Sequence, residues 1–380
     1  MKKVLILGAG FGGLETATGL ADVLGDGYEI TLVDKNDSFS VGFAKIDVLF
    51  GRRTEEQVRS RYADLRAANV RFVRAEITAI DTDGKTVATS AGSFGWDYLV
   101  VALGADLDPD ATPGFRDSGA HEFYSMAGAV RLRPVIEAFS SGTVVFGILG
   151  APIKCPPAPH EVAYQLHERF VERGVRDRIT MKMVIPGPRP VPNPAAAEAL
   201  ERLLAERDIE LVPGTAIRSI DAAAKQVVHA GGALAYDLFI GVPVHVPPAV
   251  VRASALFDKG FVAVSTVNLE TRVPDVYAVG DVTRLPGGEN FVPKAGAFAE
   301  DAARTVVSDI ALKEGRAAER LKFRAKGACY FEIGGGLVGK IAADYYGGEK
   351  PKMSVEGPSA ELHLDKEDFE ESRRDRWFKS

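Results

Sequence analysis

The chain has 380 residues, of which 46% are hydrophobic and 26% charged, and its formal net charge at pH 7 is −6. These ordinary globular values exclude a disordered chain, a collagen or a coiled coil, and the length favours two or three domains. A dedicated nucleic-acid binder would more often be basic, so we expect no nucleic-acid partner. The only two cysteines, Cys155 and Cys329, are too few for a secreted disulfide scaffold.

The N-terminal segment has the pattern of a buried strand rather than of an export signal. Its apolar stretch, residues 4–7, is short and runs into glycines, whereas a signal peptide needs a longer apolar region and a cleavage site. No apolar run approaches the roughly 20 residues that span a bilayer. We therefore expect a cytoplasmic protein. Peripheral membrane contact, a removed leader and a homo-oligomer all remain open at this stage.

A glycine-rich turn between a strand and a helix indicates a dinucleotide site. Residues 3–7 form a continuous apolar run typical of a buried parallel strand, and residues 14–24 have helical spacing. The turn between them fits GxGxxG and comprises Gly8, Gly10, Phe11, Gly12 and Gly13. The first glycine allows the tight turn, the second lets a pyrophosphate approach the backbone, and the third allows close helix–strand packing.

An acidic residue follows the next predicted strand, residues 29–33. Asp34 lies 34 − 13 = 21 residues after Gly13, with Lys35 beside it. A carboxylate at this distance accepts hydrogen bonds from a ribose diol, and the pyrophosphate would lie at the helix N-terminus. A glycine turn without a ligand is the alternative, but the placement of strand, helix and acid favours a bound dinucleotide.

A second motif distinguishes FAD from NAD. Residues 97–103 predict a buried strand closed by Gly104, and residues 271–281 predict a strand that ends in Gly280 and Asp281. With the glycine turn, these segments resemble the two-dinucleotide-domain flavoproteins over about residues 1–312. That family includes glutathione reductase, type II NADH dehydrogenase and sulfide:quinone oxidoreductase. The resemblance implies FAD, with Asp281 reaching its ribityl chain.

The resemblance also implies an α/β architecture of two Rossmann-like dinucleotide-binding domains and a small C-terminal α+β domain. We place the FAD-binding domain at residues 1–105 and 246–312, the second Rossmann-like domain at 106–245 and the C-terminal domain at 313–380. The second domain is expected to contain strands at 143–149 and 181–185 and helices at 158–174 and 195–205. A helix at 296–311 and a hairpin at 328–343 follow, and the tail, residues 361–380, is highly charged.

The second domain lacks a clear NAD site. After its first strand the sequence retains Gly147 and Gly150 but then has prolines at positions 152, 156, 157 and 159. Proline removes N–H donors that a phosphate cradle needs, so we do not expect NAD(P)H to be the electron donor.

Cys155 stands in this loop beside Lys154, before the predicted helix. A helix N-terminus and a cation both lower a thiol pKa, which makes Cys155 a candidate nucleophile; a structural thiol in a turn is the alternative.

Residues 154–161, KCPPAPHE, resemble a segment of the sulfide:quinone oxidoreductases and of the flavoprotein subunit of flavocytochrome c sulfide dehydrogenase. In that family the cysteine pairs with a second one beside the flavin, and Cys329 matches its position. Glu161 corresponds to an acid of the family, which implies proton handling; a simple helix N-terminal charge is the alternative. Residues 293–296, PKAG, resemble a further family segment and imply that Lys294 and Gly296 lie near the flavin.

Two departures from the family pattern modify these expectations. Residues 121–126 contain no third cysteine, and residues 38–51 contain no cysteine to which FAD could be attached, so we expect non-covalent FAD. The histidines have no recognisable metal-binding spacing, so no metal site is expected. Trp377 and Phe378, near the end of the charged tail, are expected to pack on the core.

The resemblance implies an FAD-dependent enzyme that oxidises sulfide to sulfane sulfur or polysulfide through Cys155 and Cys329. Electrons would pass to a quinone or to a c-type cytochrome. Two alternatives stay open: a type II NADH:quinone oxidoreductase-like enzyme, and a non-catalytic flavin-binding subunit that docks on a partner.

Overall fold

The structure is a computed structural model that describes residues 1–287 and 290–379. In chain order the helices are α1 (Phe11–Leu24), α2 (Ala44–Leu49), α3 (Met126–Ala138), α4 (Ala158–Glu172), α5 (Pro194–Ala205), α6 (Ala249–Arg252), α7 (Gly296–Lys313) and α8 (Ala360–Trp377). The strands are β1 (Lys2–Leu7), β2 (Tyr28–Asp34), β3 (Ser38–Phe39), β4 (Ser60–Arg61), β5 (Val70–Arg74), β6 (Ile77–Asp81), β7 (Thr86–Thr89), β8 (Gly92–Gly95), β9 (Tyr98–Val101), β10 (Asp106–Asp108), β11 (Gly142–Ile148), β12 (Ile179–Val184), β13 (Ile209–Val212), β14 (Ile217–Asp221), β15 (Gln226–His229), β16 (Gly232–Ala235), β17 (Leu238–Val242), β18 (Val244–Val246), β19 (Phe257–Asp258), β20 (Phe261–Val262), β21 (Val276–Ala278), β22 (Pro286–Gly287), β23 (Asn290–Phe291), β24 (Lys326–Gly334), β25 (Leu337–Asp344) and β26 (Lys352–Ser359).

The first sheet is parallel and has the strand order β21-β9-β1-β2-β5. Its central strand β1 is buried on both faces, as the continuous apolar run predicts, with Ile6 beside both Leu32 and Val100. Helices α1 and α7 pack closely: a Cβ at Gly19 would lie 2.9 Å from a Val307 methyl. Because β21 and α7 come from the second half of the chain, the dinucleotide unit is assembled from two distant segments.

The second sheet is also parallel, with the order β13-β12-β11-β17, and it is packed against α4 and α5. Each parallel sheet is accompanied by a three-stranded antiparallel sheet, β6-β7-β8 or β14-β15-β16. The sequence predicts β1, β2, β9, β11, β12 and β21, but neither the parallel edge strands β5 and β13 nor the antiparallel sheet β6-β7-β8. The exact domain boundaries given above stay a proposal.

The C-terminal region is an antiparallel sheet, β24-β25-β26, with α8 packed against it. The predicted hairpin is confirmed, with three positive-φ glycines, residues 334–336, between its strands. Helix α8 was not predicted, because two of its buried side chains, Lys366 and Glu370, are charged and hide the apolar periodicity. Ser359 caps this helix, its hydroxyl oxygen accepting a hydrogen bond from the Leu362 N–H at 3.2 Å.

The predicted fold class is confirmed: two parallel α/β units of Rossmann type are joined to a small α+β unit. Trp377 and Phe378 are buried and pack on the first core, as the sequence predicts. Over residues 1–287 and 290–379, no helix is both long and apolar enough to cross a bilayer.

Replacing Trp377 by alanine should strongly destabilise the protein. The indole packs edge-on against Phe11 and Phe39, each with ring centroids 5.6 Å away, and its Nε1 donates to Glu15 Oε2 at 2.9 Å. Loss of this buried ring should lower the free energy of unfolding by about 3–5 kcal/mol. Thermal and denaturant unfolding measure the change. Leu364→Ala on the same helix is the control, because that side chain is 65% exposed; equal effects of both changes would contradict the packing described.

Candidate active site

The glycine turn after β1 has the close packing that the motif predicts. A Cβ at Gly8, where φ is +95°, would lie 2.4 Å from the Ala102 carbonyl oxygen, and one at Gly13 would lie 1.8 Å from the Gly8 carbonyl oxygen. Gly10 differs, because among the described residues no atom outside residues 9–11 lies within 4 Å of the position of its Cβ. The turn is therefore tightly packed on its protein side and open on the side that faces the cavity.

Asp34 is fixed beside this turn. Its Oδ2 accepts a hydrogen bond from the Ala9 N–H at 2.7 Å, and its Oδ1 accepts one from the Asn36 N–H at 2.8 Å. The carboxylate lies at the end of β2, where the motif places a ribose partner. Lys35 is exposed and does not line the cavity, so the structure does not bring it to the other predicted residues.

Most of the predicted site residues surround one cavity of about 330 Å³. The predicted cofactor contacts that line it are Gly10, Phe11, Gly12, Gly104, Gly280, Asp281, Lys294 and Gly296. The predicted catalytic residues that line it are Cys155, Glu161, Lys294 and Cys329. Gly8 and Gly13 shape the turn behind this surface. Residues that follow β1 and β9, and residues at the start of α7, thus meet residues of α4 and β24 at a single site.

The two cysteines, 174 residues apart in sequence, meet in this cavity. Both are free thiols that line the same cavity, and Cys329 lies close enough to raise the pKa of Cys155. Cys155 is held by its main chain, since its N–H donates to the Lys294 carbonyl oxygen at 2.7 Å and its φ is +44°. Such a conformation is uncommon for a residue other than glycine and is often found at functional sites.

The expectation that the helix N-terminus and Lys154 lower the Cys155 pKa is wrong for this dithiol. The nearby Cys329 and burial raise the pKa of Cys155 well above its ordinary value, and the Ala158 N–H opposes this only in part. Lys154 instead donates from Nζ to the Ala105 carbonyl oxygen at 3.0 Å. Thiolate formation at Cys155 therefore requires a further stabilising group or the opening of a disulfide.

Three lysines and two carboxyl groups, those of Asp281 and Glu161, set the charge of the cavity wall. Lys294 donates from Nζ to the carbonyl oxygens of Asp281 and Thr283 at 2.6 and 3.0 Å, and burial lowers its pKa to about 8. Burial, assisted by Lys154, also lowers the Lys45 pKa to about 8. Burial raises the Asp281 pKa, which these three lysines counteract. The net positive wall suits anionic ligands.

Glu161 belongs to a buried charged cluster at the cavity edge. Its Oε1 accepts from the Glu332 N–H at 3.1 Å and lies 3.5 Å from Lys366 Nζ. Lys366 is also paired with the Glu332 carboxylate, which Arg52 contacts at 3.0 Å. Burial raises the Glu161 pKa to about 7, although Lys366 lowers it in part. A carboxyl group near neutrality can both accept and release a proton.

Sequence reasoning missed several residues of this site. Lys366 lies in the C-terminal tail, whose charged sequence is typical of a solvated segment. Lys45, on α2, and Tyr124, just before α3, line the cavity, but no sequence motif marks either residue. Their places depend on tertiary contacts alone. Among the described residues, no group of three or more His, Cys, Asp and Glu side chains is arranged to hold a metal ion.

The residues present fit a dinucleotide such as the one that the glycine motif predicts. Gly10 leaves open space at the N-terminus of α1, where free N–H groups attract a phosphate. In the described part of the chain no donor is bonded to the Asp281 carboxylate, which lines the cavity and can therefore accept from a ligand hydroxyl. Phe11, Phe39 and Phe43 supply apolar wall.

A dithiol placed beside a dinucleotide cavity between two Rossmann-type units defines a flavin-dependent oxidoreductase. The chain belongs to the pyridine nucleotide-disulphide oxidoreductase family, which matches residues 2–302. The resemblance to sulfide:quinone oxidoreductases is confirmed.

Three known proteins illustrate the similarity. The mitochondrial sulfide:quinone oxidoreductase of Dictyostelium discoideum is 24% identical over 304 residues, which are 75% of this chain and 66% of that protein. The type II NADH:quinone oxidoreductase of Staphylococcus saprophyticus is 37% identical over 118 residues, or 30% of this chain and 29% of that protein. The X-ray structure of the Aquifex aeolicus sulfide:quinone oxidoreductase matches with a TM-score of 0.85 at 24% identity. The match covers 98% of this chain and 90% of the Aquifex chain. This chain thus spans just under two thirds of the Dictyostelium protein.

The raised pKa of Glu161 predicts a pH-dependent stability. Its folded-state pKa, about 7, exceeds the ordinary value of 4.5 for a glutamate, so this group lowers the stability of the folded protein as the pH rises between these values. Glu161→Gln removes this titration. The difference in unfolding free energy, variant minus wild type, should therefore increase by roughly 3 kcal/mol between pH 4.5 and pH 7. Denaturant titrations at several pH values test this; a pH-independent difference would contradict it.

Proposed function

We propose that this protein oxidises sulfide to sulfane sulfur or polysulfide through Cys155 and Cys329 and passes the electrons to a quinone or a c-type cytochrome. The observation that carries the proposal is the closeness of these two thiols in the wall of the dinucleotide cavity. The similarity to sulfide:quinone oxidoreductases supports sulfide as the substrate and quinone as the favoured acceptor.

The sulfur chemistry needs only the two cysteines and hydrosulfide. HS⁻ attacks one sulfur of the oxidised pair, the S–S bond breaks, and the products are a cysteine persulfide and a thiolate on the other cysteine. A second HS⁻ takes the sulfane sulfur as HSS⁻ and leaves the cysteine reduced. Reoxidation of the pair to the disulfide releases two electrons. The net change, 2 HS⁻ to HSS⁻, one proton and two electrons, is balanced by reduction of the acceptor.

The cofactor that we propose is non-covalent FAD, which accepts two electrons and passes them on. The loop of residues 38–51 lines the cavity without a cysteine that could form a covalent link. Asp34 and Gly10 would hold the ribose and pyrophosphate, and Asp281 the ribityl chain. Lys294, at the N-terminus of α7, would place positive charge where the reduced ring system is negative.

Glu161 is the residue that we propose for proton handling. It lines the cavity with the cysteines, and its pKa near 7 lets it exchange protons at neutral pH. Lys366 and Glu332 connect it through charged groups to Arg52, whose side chain is 41% exposed.

We place the protein in the cytoplasm with peripheral membrane contact.

The second candidate is an NADH:quinone oxidoreductase, which the 37% identical segment of the staphylococcal relative favours. The loop before α4 argues against it. Its Cys155 N–H is bonded to Lys294, the Ala158 N–H is bonded to the Cys155 carbonyl oxygen, and the prolines at 156 and 157 have no N–H. Few donors are left for a second pyrophosphate.

Gly10→Val should yield a folded but colourless protein. The glycine has φ of −81°, and the space around its Cβ is free of atoms from the described residues outside 9–11, so the protein tolerates the side chain. The valine methyls should occupy the path of the pyrophosphate and lower flavin binding at least about tenfold. The ratio of flavin to protein absorbance measures the loss. Gly27→Val, also placed in open space, is the control; full flavin content in Gly10→Val would refute the assigned site.

Anaerobic mixing with sulfide should bleach the flavin, and mixing with NADH should not. Cys155→Ser and Cys329→Ser should each slow reduction by sulfide about 10³-fold or more, because the two sulfurs act as a unit. Both variants should keep the flavin spectrum of the wild type, which serves as the folding control. Bleaching by NADH but not by sulfide would show the alternative enzyme, and slow reduction by either donor until a protein partner is added would show a non-catalytic subunit.

A further inference from the structure

Tyr124, in the wall of the cavity that both cysteines line, has a hydroxyl group that makes no hydrogen bond to the described residues. Its oxygen is buried and has no partner among residues 1–287 and 290–379, although buried polar groups are almost always paired. Tyr124 lines the cavity together with Cys155 and Cys329. An unpaired hydroxyl destabilises the folded protein, so an acceptor that forms during the reaction would account for its presence.

The tyrosine ring is held in place from both sides. The Phe123 ring stacks on it with centroids 4.8 Å apart, and the His245 ring meets it edge-on at 4.9 Å. Its carbonyl oxygen accepts from Lys45 Nζ at 2.9 Å. Because ring and backbone are both fixed, the side chain keeps its position in the wall of the cavity that Cys155 and Cys329 also line.

The hydroxyl is suited to donate rather than to ionise. Burial raises the Tyr124 pKa well above its ordinary value, and negative charge on Cys155, Glu161 or Cys329 raises it further. The three lysines of the cavity wall each direct at least one N–H to a backbone carbonyl oxygen, whereas the Tyr124 hydroxyl has no acceptor among the described residues. Tyr124 therefore offers a neutral O–H to an anion formed in the cavity.

We propose that Tyr124 is the hydrogen-bond donor to the Cys155 thiolate, an inference that rests on the sulfide oxidation proposed above. When HS⁻ attacks the Cys329 sulfur of the disulfide, a Cys329 persulfide forms and the electron pair of the broken S–S bond leaves on Cys155. The Tyr124 O–H donates a hydrogen bond to this sulfur and keeps its proton, so no proton is transferred. Its role is therefore separate from that of Glu161, which handles protons.

The test compares thiol reactivity in the wild type and in Tyr124→Phe. The flavin-loaded proteins are reduced anaerobically and alkylated with iodoacetamide over a range of pH, and modification of Cys155 is followed by mass spectrometry. Loss of a hydrogen bond to the thiolate should raise the thiol pKa by about one unit, so the alkylation rate below that pKa falls about tenfold. The melting temperature should not fall, because the lost hydroxyl has no partner. Tyr236→Phe, a buried tyrosine outside the cavity, should change neither quantity.

The outcomes separate this inference from the proposed function. An unchanged alkylation profile in Tyr124→Phe would overturn the donor role, whatever the substrate. A tenfold change in a protein that does not oxidise sulfide would refute the proposed function and leave the donor role standing. Should Tyr124→Phe misfold, the pH dependence of Cys155 alkylation is measured in Tyr124→Met, which also lacks the hydroxyl and should show the same fall in rate.

Discussion

The contact on which the active site depends is the docking of the loop before α4 on the segment before α7. The Cys155 N–H donates to the Lys294 carbonyl oxygen at 2.7 Å, and Lys154 and Lys294 pair as a short parallel bridge. These main-chain bonds join the second Rossmann-type unit to the dinucleotide cavity of the first. They also stabilise the positive φ of Cys155, which would otherwise be disfavoured. The thiol reaches the cofactor cavity only because the backbone on either side is held.

The opposite wall of the site depends on buried charge. Removing Lys366, Glu161 and Glu332 from water is costly, and the cost is offset only when all three remain together. Since they lie on α8, α4 and β24, their pairing specifies how the C-terminal sheet sits on the second domain. Cys329 lies three residues before Glu332 on the same strand, so the ion cluster also positions the second thiol.

The parts of the site that sequence could predict are those in which chemistry and local conformation coincide. The turn containing Gly8, Gly10 and Gly13 is recognisable because its function requires specific backbone geometry within a few residues. The meeting of Cys155 with Cys329 is a tertiary fact, which the resemblance implied and spacing alone could not. The pKa of Cys155 shows the same limit. The local helix and Lys154 predict a lowered pKa, whereas Cys329, distant in sequence, and burial raise it.

The two Rossmann-type units use the same strand–turn–helix geometry for different chemistry. In the first, glycines leave the start of α1 open to an anionic ligand, with no atom of the described chain outside residues 9–11 within 4 Å of the Gly10 Cβ position. In the second, prolines remove N–H donors before α4, and the remaining Cys155 N–H is bonded to Lys294. One loop cannot present both a phosphate cradle and a thiol held against the neighbouring domain. The prolines of this loop and the placement of the cysteine therefore belong to one structural arrangement, which supports the sulfide oxidation proposed above.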